Sequence, residues 1–123
     1  MNTDESARHV LYVDDYEPMC EIASEALQRA GFAVTTCPDA GAALAAAARQ
    51  PRVDIAVVDL DLPGMRGDEL ARRLAGEIPV VLVSGEVDAA LRAQAEAAGA
   101  EALLYKGRLY DELPHLVRAL LPR

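Results

Sequence analysis

The chain has 123 residues, 52% hydrophobic and 26% charged, which fits one domain of ordinary globular composition with room for a real core. Its 20 acids against 12 bases give a formal net charge of −8, which argues against direct nucleic-acid binding through this stretch. No apolar run is long enough to cross a bilayer and residues 1–9 are too polar for a signal peptide, so a cytoplasmic protein without a membrane partner is expected.

Residues 1–8 form a polar start expected to fray. Residues 10–13 are the first strand candidate, stopped by Asp14-Asp15. Helical spacing follows over residues 17–30, with Ile22, Ala23, Ala26, Leu27 and Ala30 on one face and Gly31 as the C-terminal stop. A second strand is expected over 32–36, and Asp39 is placed to N-cap an Ala-rich helix over 40–49 that Pro51 ends. The third strand, 55–58, is a run of apolar residues ending in Asp59, after which Pro63, Gly64 and Gly67 forbid regular structure.

A short amphipathic helix is predicted over 68–74, a fourth strand over 80–83 ending at Ser84-Gly85, and a helix over 87–98 stopped by Gly99. The fifth strand, 102–105, ends at Lys106-Gly107. The last helix is placed over 111–121, with Pro114 falling in its first turn. Strand and helix alternate five times with short connections and no internal repeat, which gives a doubly wound α/β fold, (βα)5, with helices on both faces of a parallel sheet. No composition break divides residues 1–123 into two domains. His9 and His115 lie away from the strand ends and read as surface residues, and Cys20 and Cys37 read as reduced, small apolar packing residues.

In such a sheet, sites form outside the carboxyl ends of the strands. Those ends carry Asp14-Asp15, Thr36, Asp59, Ser84 and Lys106, and four of the five supply site chemistry. Of the 12 basic residues 11 are Arg, so Lys106, the only lysine, marks a place where a compact ammonium suits and a guanidinium fork does not. Two carboxylates ~5 Å apart repel by roughly 3 kcal/mol at an effective dielectric of 20. A cluster of three around Asp59 therefore calls for cations: Lys106, and a hard divalent ion with oxygen ligands, Mg²⁺. Capping and loop roles would explain Asp14, Asp15 and Asp59 but leave Ser84 and Lys106 as coincidences.

Asp14-Asp15 after the first strand, DLDLPGMRG from Asp59, VLVSG ending at Gly85, and Lys106 after the fifth strand together resemble a response-regulator receiver domain over essentially the whole chain. The resemblance implies a flavodoxin-like sheet of strand order 2-1-3-4-5, like that of the chemotaxis regulators. It also implies Asp59 as phospho-acceptor, Mg²⁺ held by Asp15 directly, by Asp14 through water, by Asp59 and by the Asp61 main-chain carbonyl. Ser84 takes the place of the hydroxyl that bonds a phosphoryl oxygen, and Lys106 that of the lysine that pairs with another. Asp61 and Glu86 stand where the family varies the lifetime of the acyl phosphate. Such a protein receives its phosphoryl group from a sensor histidine kinase or a histidine phosphotransfer protein and catalyses only its own phosphorylation and dephosphorylation. It passes the signal to a downstream protein or a homodimer partner through the face made by the fourth helix, fifth strand and fifth helix.

Two departures stand out: Gly107 replaces the family's proline after the lysine, and Leu103 occupies the position of its switch aromatic. Tyr105, two residues along the same strand face as Leu103, is the candidate substitute. The departures keep open a phosphorylation-independent docking module on the same fold. A haloacid-dehalogenase-type phosphatase also uses D-x-D, Ser and Lys, but its D-x-D opens the chain and its acid pair comes last. A flavin or nucleotide module is disfavoured because DDYEP puts acids where a phosphate cradle needs glycines. This sequence carries no output domain after Arg123, which fits a stand-alone receiver, a phosphorelay intermediate or a domain of a longer regulator or hybrid kinase.

Overall fold

The computed structural model describes residues 7–121. His9–Val13 forms β1, Glu17–Arg29 α1, Ala33–Cys37 β2, Ala40–Ala47 α2, Ile55–Asp59 β3, Gly67–Leu74 α3, Val80–Ser84 β4, Ala89–Ala97 α4, Ala102–Tyr105 β5 and Leu109–Leu120 α5. The strands pair in parallel in the order β2-β1-β3-β4-β5, the doubly wound, flavodoxin-like arrangement. All five residues of β1, β3 and β4 are buried. Helices cover both faces, which is why these strands read as unbroken apolar runs without alternation.

The period of two splits the core into two layers. Val10, Tyr12, Ile55, Val57, Val81, Val83 and Leu104 pack with Ala23 and Leu27 of α1 and Leu109, Leu113 and Val117 of α5. Leu11, Val13, Ala56, Val58, Val80 and Leu82 pack with Ala43 and Ala46 of α2, Leu70 and Leu74 of α3, and Ala95 of α4. Each fully buried Leu or Val contributes ~1.5–3 kcal/mol. Arg118 of α5 ties the first layer down, donating from Nη2 to the Ala30 carbonyl at 3.0 Å with its guanidinium 5.5 Å from the Phe32 ring centre.

Several expectations are corrected. The second strand lies one residue later than expected: β2 pairs Val13 with Cys37, and the Asp14 N–H extends the ladder by donating to the Cys37 carbonyl at 3.0 Å. It therefore ends at Cys37, leaving Thr36 exposed. Ile22 is 39% exposed, because the buried stripe of α1 runs through Ala23, Ala26 and Leu27 and leaves Ile22 beside it. His9 is buried: its Nε2 lies 2.7 Å from Thr35 Oγ1 and its Nδ1 3.0 Å from the Arg52 carbonyl, so β1 begins inside the polar floor of the sheet. A 3-10 turn, Lys106–Arg108, feeds straight into α5, so the helix starts at Leu109 and Pro114 falls in its second turn. There the missing proline N–H costs one intrahelical bond. The fourth helix starts two residues late, at Ala89, because Asp88 serves as N-cap with its carboxylate accepting from Leu91 N–H at 2.8 Å. Of the start expected to fray, residues 1–6 lie outside the described residues, and the Arg8 carbonyl accepts from the Ala33 N–H at 2.9 Å. Among the described residues no helix is long and apolar enough to cross a membrane.

The loop after β3 is folded tightly back on the strand. The Gly67 N–H donates to the Leu60 carbonyl at 2.9 Å, and a Cβ at Gly67 would collide with the Asp59 carbonyl oxygen and lie 2.7 Å from Leu60 Cα. Both obstacles are backbone, so nothing flexible can yield. Gly67→Ala is expected to lower the unfolding free energy in urea by ~1–3 kcal/mol, the usual cost of overpacking. A variant as stable as the wild type would show that the loop rearranges freely.

Candidate functional site

Three strands deliver the central groups by the same alternation that builds the core. Tyr12, Val57 and Leu104 all point into the layer under α1 and α5. Two residues further along the same side come Asp59, the last residue of β3, and Asp14 and Lys106, the first residues past β1 and β5. The side chains meet there. Lys106 Nζ lies 3.0 Å from Asp14 Oδ2 and 3.1 Å from Asp59 Oδ2, bridging the two carboxylates. Asp14 and Asp59 are 1% and 3% exposed, so neither charge is relieved by bulk water.

Each carboxylate is also held from its own loop. Asp14 Oδ1 accepts from the Tyr16 N–H at 3.0 Å, and Asp59 Oδ1 from the Asp61 N–H at 3.2 Å. Asp15 is exposed at the rim, yet one oxygen each of Asp14, Asp15 and Asp59 lies within 4.8 Å of the others. Ser84 is buried on the opposite side of the sheet alternation, where its Oγ accepts from the Glu86 N–H at 3.1 Å. Asp61 and Glu86 are exposed, and with Leu60, Arg66, Ser84 and Gly85 they line a cleft of about 480 Å³. Thr36 and His115 are not brought into the cluster.

Burial raises the Asp59 carboxyl above the ordinary carboxylate range, and the Asp14 charge adds to it, against the Asp61 N–H and the Lys106 ammonium. Burial works to lower Lys106, but its bonds to Asp14 and Asp59 outweigh that and hold the ammonium above the usual lysine value. Three carboxylates against one ammonium leave two formal negative charges uncompensated. An all-oxygen donor set of this charge fits Mg²⁺, and Asp14, Asp15 and Asp59 are the residues that could hold it.

Two participants were not picked out in the sequence. The Tyr12 hydroxyl, fully buried, donates to Asp14 Oδ2 at 3.0 Å, and burial followed by the Asp14 charge drives its phenol far above the usual range. The one signal in the sequence is an aromatic two residues before an acid in a strand that is aliphatic at Val10, Leu11 and Val13. Cys20 Sγ donates to the Asp14 carbonyl at 3.2 Å, and burial, with Asp14 adding, pushes its thiol up to about 11. It is therefore a protonated packing group that also serves as a weak donor.

The family model for the response regulator receiver domain matches residues 10–118. The chain is 36% identical over 117 residues to the probable transcriptional regulatory protein TcrX of Mycobacterium tuberculosis, covering 93% of this chain and 50% of that protein. It is 36% identical over 115 residues to the sensor histidine kinase AruS of Pseudomonas aeruginosa, covering 88% of this chain and 11% of that protein. The chain thus spans about half or less of the curated relatives it matches. The solved structure of the Vibrio cholerae chemotaxis protein CheY4 superposes with a TM-score of 0.86 at 28% identity, over 94% of this chain and 99% of that one. The family match and the fold put aside the haloacid-dehalogenase reading, and this chain belongs to the response-regulator receiver domains of two-component signal transduction.

Proposed function

We propose that this chain is a Mg²⁺-dependent phospho-acceptor, taking a phosphoryl group from a sensor histidine kinase or a histidine phosphotransfer protein onto Asp59. The observation that carries this reading is the buried Asp59 carboxylate, flanked by two further acids and bridged to Asp14 by the only lysine of the chain. An Asp59 oxygen attacks phosphorus, forming an acyl phosphate, while the bond from phosphorus to the donor histidine nitrogen breaks and its electron pair stays on the ring. Bound Mg²⁺, held by Asp15, Asp59 and the Asp61 main-chain carbonyl with Asp14 behind a water, would supply positive charge to the phosphoryl oxygens.

The Lys106 ammonium, shared between the two carboxylates, is proposed to turn toward an incoming phosphoryl oxygen and so loosen from Asp14. The Ser84 hydroxyl can donate to another phosphoryl oxygen, since among the described residues its oxygen only accepts, from the Glu86 N–H. Asp61 and Glu86, both exposed and lining the cleft with Ser84, are proposed to orient or repel the water that hydrolyses the acyl phosphate.

The output is proposed to leave through Tyr105. Ser84 and Tyr105 are register partners in β4 and β5 and so project to the same side of the sheet. Tyr105 is 49% exposed and lines a groove of about 720 Å³ with Val87, Arg92, Leu103, Arg108 and Leu116, between α4, β5 and α5. Gly107 makes room for it: a Cβ there would run into the Tyr105 ring. A downstream protein or second copy is proposed to bind this face. Direct nucleic-acid contact does not suit a net charge of −8. The rival reading, a docking module that ignores phosphorylation, is favoured by Leu103 and Gly107 alone.

Acetyl phosphate with Mg²⁺ is expected to add one phosphoryl group, on Asp59, as read by intact-mass and peptide mass spectrometry. Asp59→Asn or a chelator should abolish it, and labelling that survives Asp59→Asn sinks the assignment. In metal-free buffer, Asp59→Ala should melt higher than the wild type because a crowded charge is gone. Millimolar Mg²⁺ should raise the wild-type melting temperature by mass action and the variant's much less. A wild type indifferent to Mg²⁺ is not a metal-binding receiver. Beryllofluoride, a phosphoryl mimic, should shift the Tyr105 ring resonances, and Gly107→Ala should shift them without it. Tyr105 resonances unmoved by beryllofluoride would favour the docking module.

A further inference from the structure

We propose that Tyr12 is a positioning residue of the phospho-acceptor site: its hydroxyl holds the Asp14 carboxylate from inside the core, freeing Lys106 for the phosphoryl group and moderating the pull of the site on Mg²⁺. This rests on the phospho-acceptor reading and adds a residue to it. Asp14 Oδ2 receives two donors, the Tyr12 hydroxyl at 3.0 Å and Lys106 Nζ at 3.0 Å, while Oδ1 receives the Tyr16 N–H. Tyr12 is fully buried, whereas Tyr16, Tyr105 and Tyr110 are 59%, 49% and 43% exposed. A phenylalanine would fill the same place between α1, α5 and the sheet. What the tyrosine adds is one O–H, and it is aimed at Asp14.

That bond matters when Lys106 moves. An ammonium that follows a phosphoryl oxygen loosens from Asp14, and a carboxylate 1% exposed would be left with a single backbone donor. An under-satisfied buried anion is costly, so without Tyr12 Asp14 would resist the departure of Lys106. With Tyr12 in place, Asp14 keeps two donors throughout. The same bond is strongest when no divalent ion shares the carboxylate. Losing the hydroxyl therefore raises the free energy of the metal-free site more than that of the metal-bound site.

These two effects predict opposite changes in two affinities. Calorimetry on Tyr12→Phe should show Mg²⁺ binding about three- to tenfold tighter than in the wild type, a fraction of one charge-assisted hydrogen bond. At saturating Mg²⁺, beryllofluoride should bind weaker by a similar factor. Because Lys106 is the only lysine, ¹⁵N-lysine labelling isolates its ammonium. In the metal-free variant its protons should exchange with water more slowly than in the wild type, because Asp14 grips it harder. Should the variant fail to fold, the wild type still decides: the buried Tyr12 hydroxyl proton must stay protected from exchange after beryllofluoride is added. Loss of that protection overturns the proposal. So does an unchanged Mg²⁺ affinity in Tyr12→Phe, or a fall in both affinities together, which would mark simple loss of structure. A wild type that binds no Mg²⁺ overturns this proposal and the phospho-acceptor reading alike; a wild type that binds it normally while the variant matches it overturns this one alone.

Discussion

The contact on which the site depends is the bridge from Lys106 to Asp14 and Asp59. Two unit charges 4.8 Å apart, the outer limit for the acidic oxygens of this cluster, repel by about 3.5 kcal/mol at an effective dielectric of ~20. A small domain holds together by only ~5–15 kcal/mol, so two buried acids at that range need a cation between them. Lys106 supplies it at 3.0 and 3.1 Å, on a stem that is itself only partly exposed. One ammonium does not neutralise three acids, and the remaining negative charge is of the kind that a hard divalent cation would offset.

The fold exists in a form that makes this bridge possible. Order β2-β1-β3-β4-β5 places β1 beside β3, so the two carboxylates come from adjacent strand ends, while β5 lies two strands from β3 and must reach across β4. A lysine stem spans that distance and keeps its charged end at the mouth. The side-chain alternation does the aiming: Asp14, Asp59 and Lys106 each follow, at a spacing of two, a residue packed under α1 and α5. Ser84 belongs to the other parity, which sets it beside Tyr105 and gives the site one group facing the α4 side.

The departures from the family pattern also have a physical reading. Replacing proline by Gly107 removes a conformational restraint after Lys106, and the ion pairs to Asp14 and Asp59 restrain the lysine instead. The same substitution leaves the space that the Tyr105 ring occupies. With Leu103 partly buried against the α2–α4 layer, the exposed aromatic of this strand is Tyr105, nearer the site by one step of the alternation.

The amino-acid sequence by itself determined the class of fold, the order of the elements and the composition of the strand ends. Those features are local: an apolar run, a turn residue and a charged stop are written in consecutive positions, and Asp14, Asp15, Asp59, Ser84 and Lys106 could be named from them. What only the tertiary structure decided involves partners far apart in the chain or faces that periodicity leaves ambiguous. His9 looked like a surface residue because Thr35 and Arg52, which satisfy its ring, are distant in sequence. Ile22 looked buried because its spacing fits a helical stripe, whose edge is drawn by the packing of α1 against the sheet and α5. Tyr12 looked like one more apolar strand residue; its hydroxyl acquires meaning only once the turn after β1 brings Asp14 back over it, at the height where Lys106 arrives from β5.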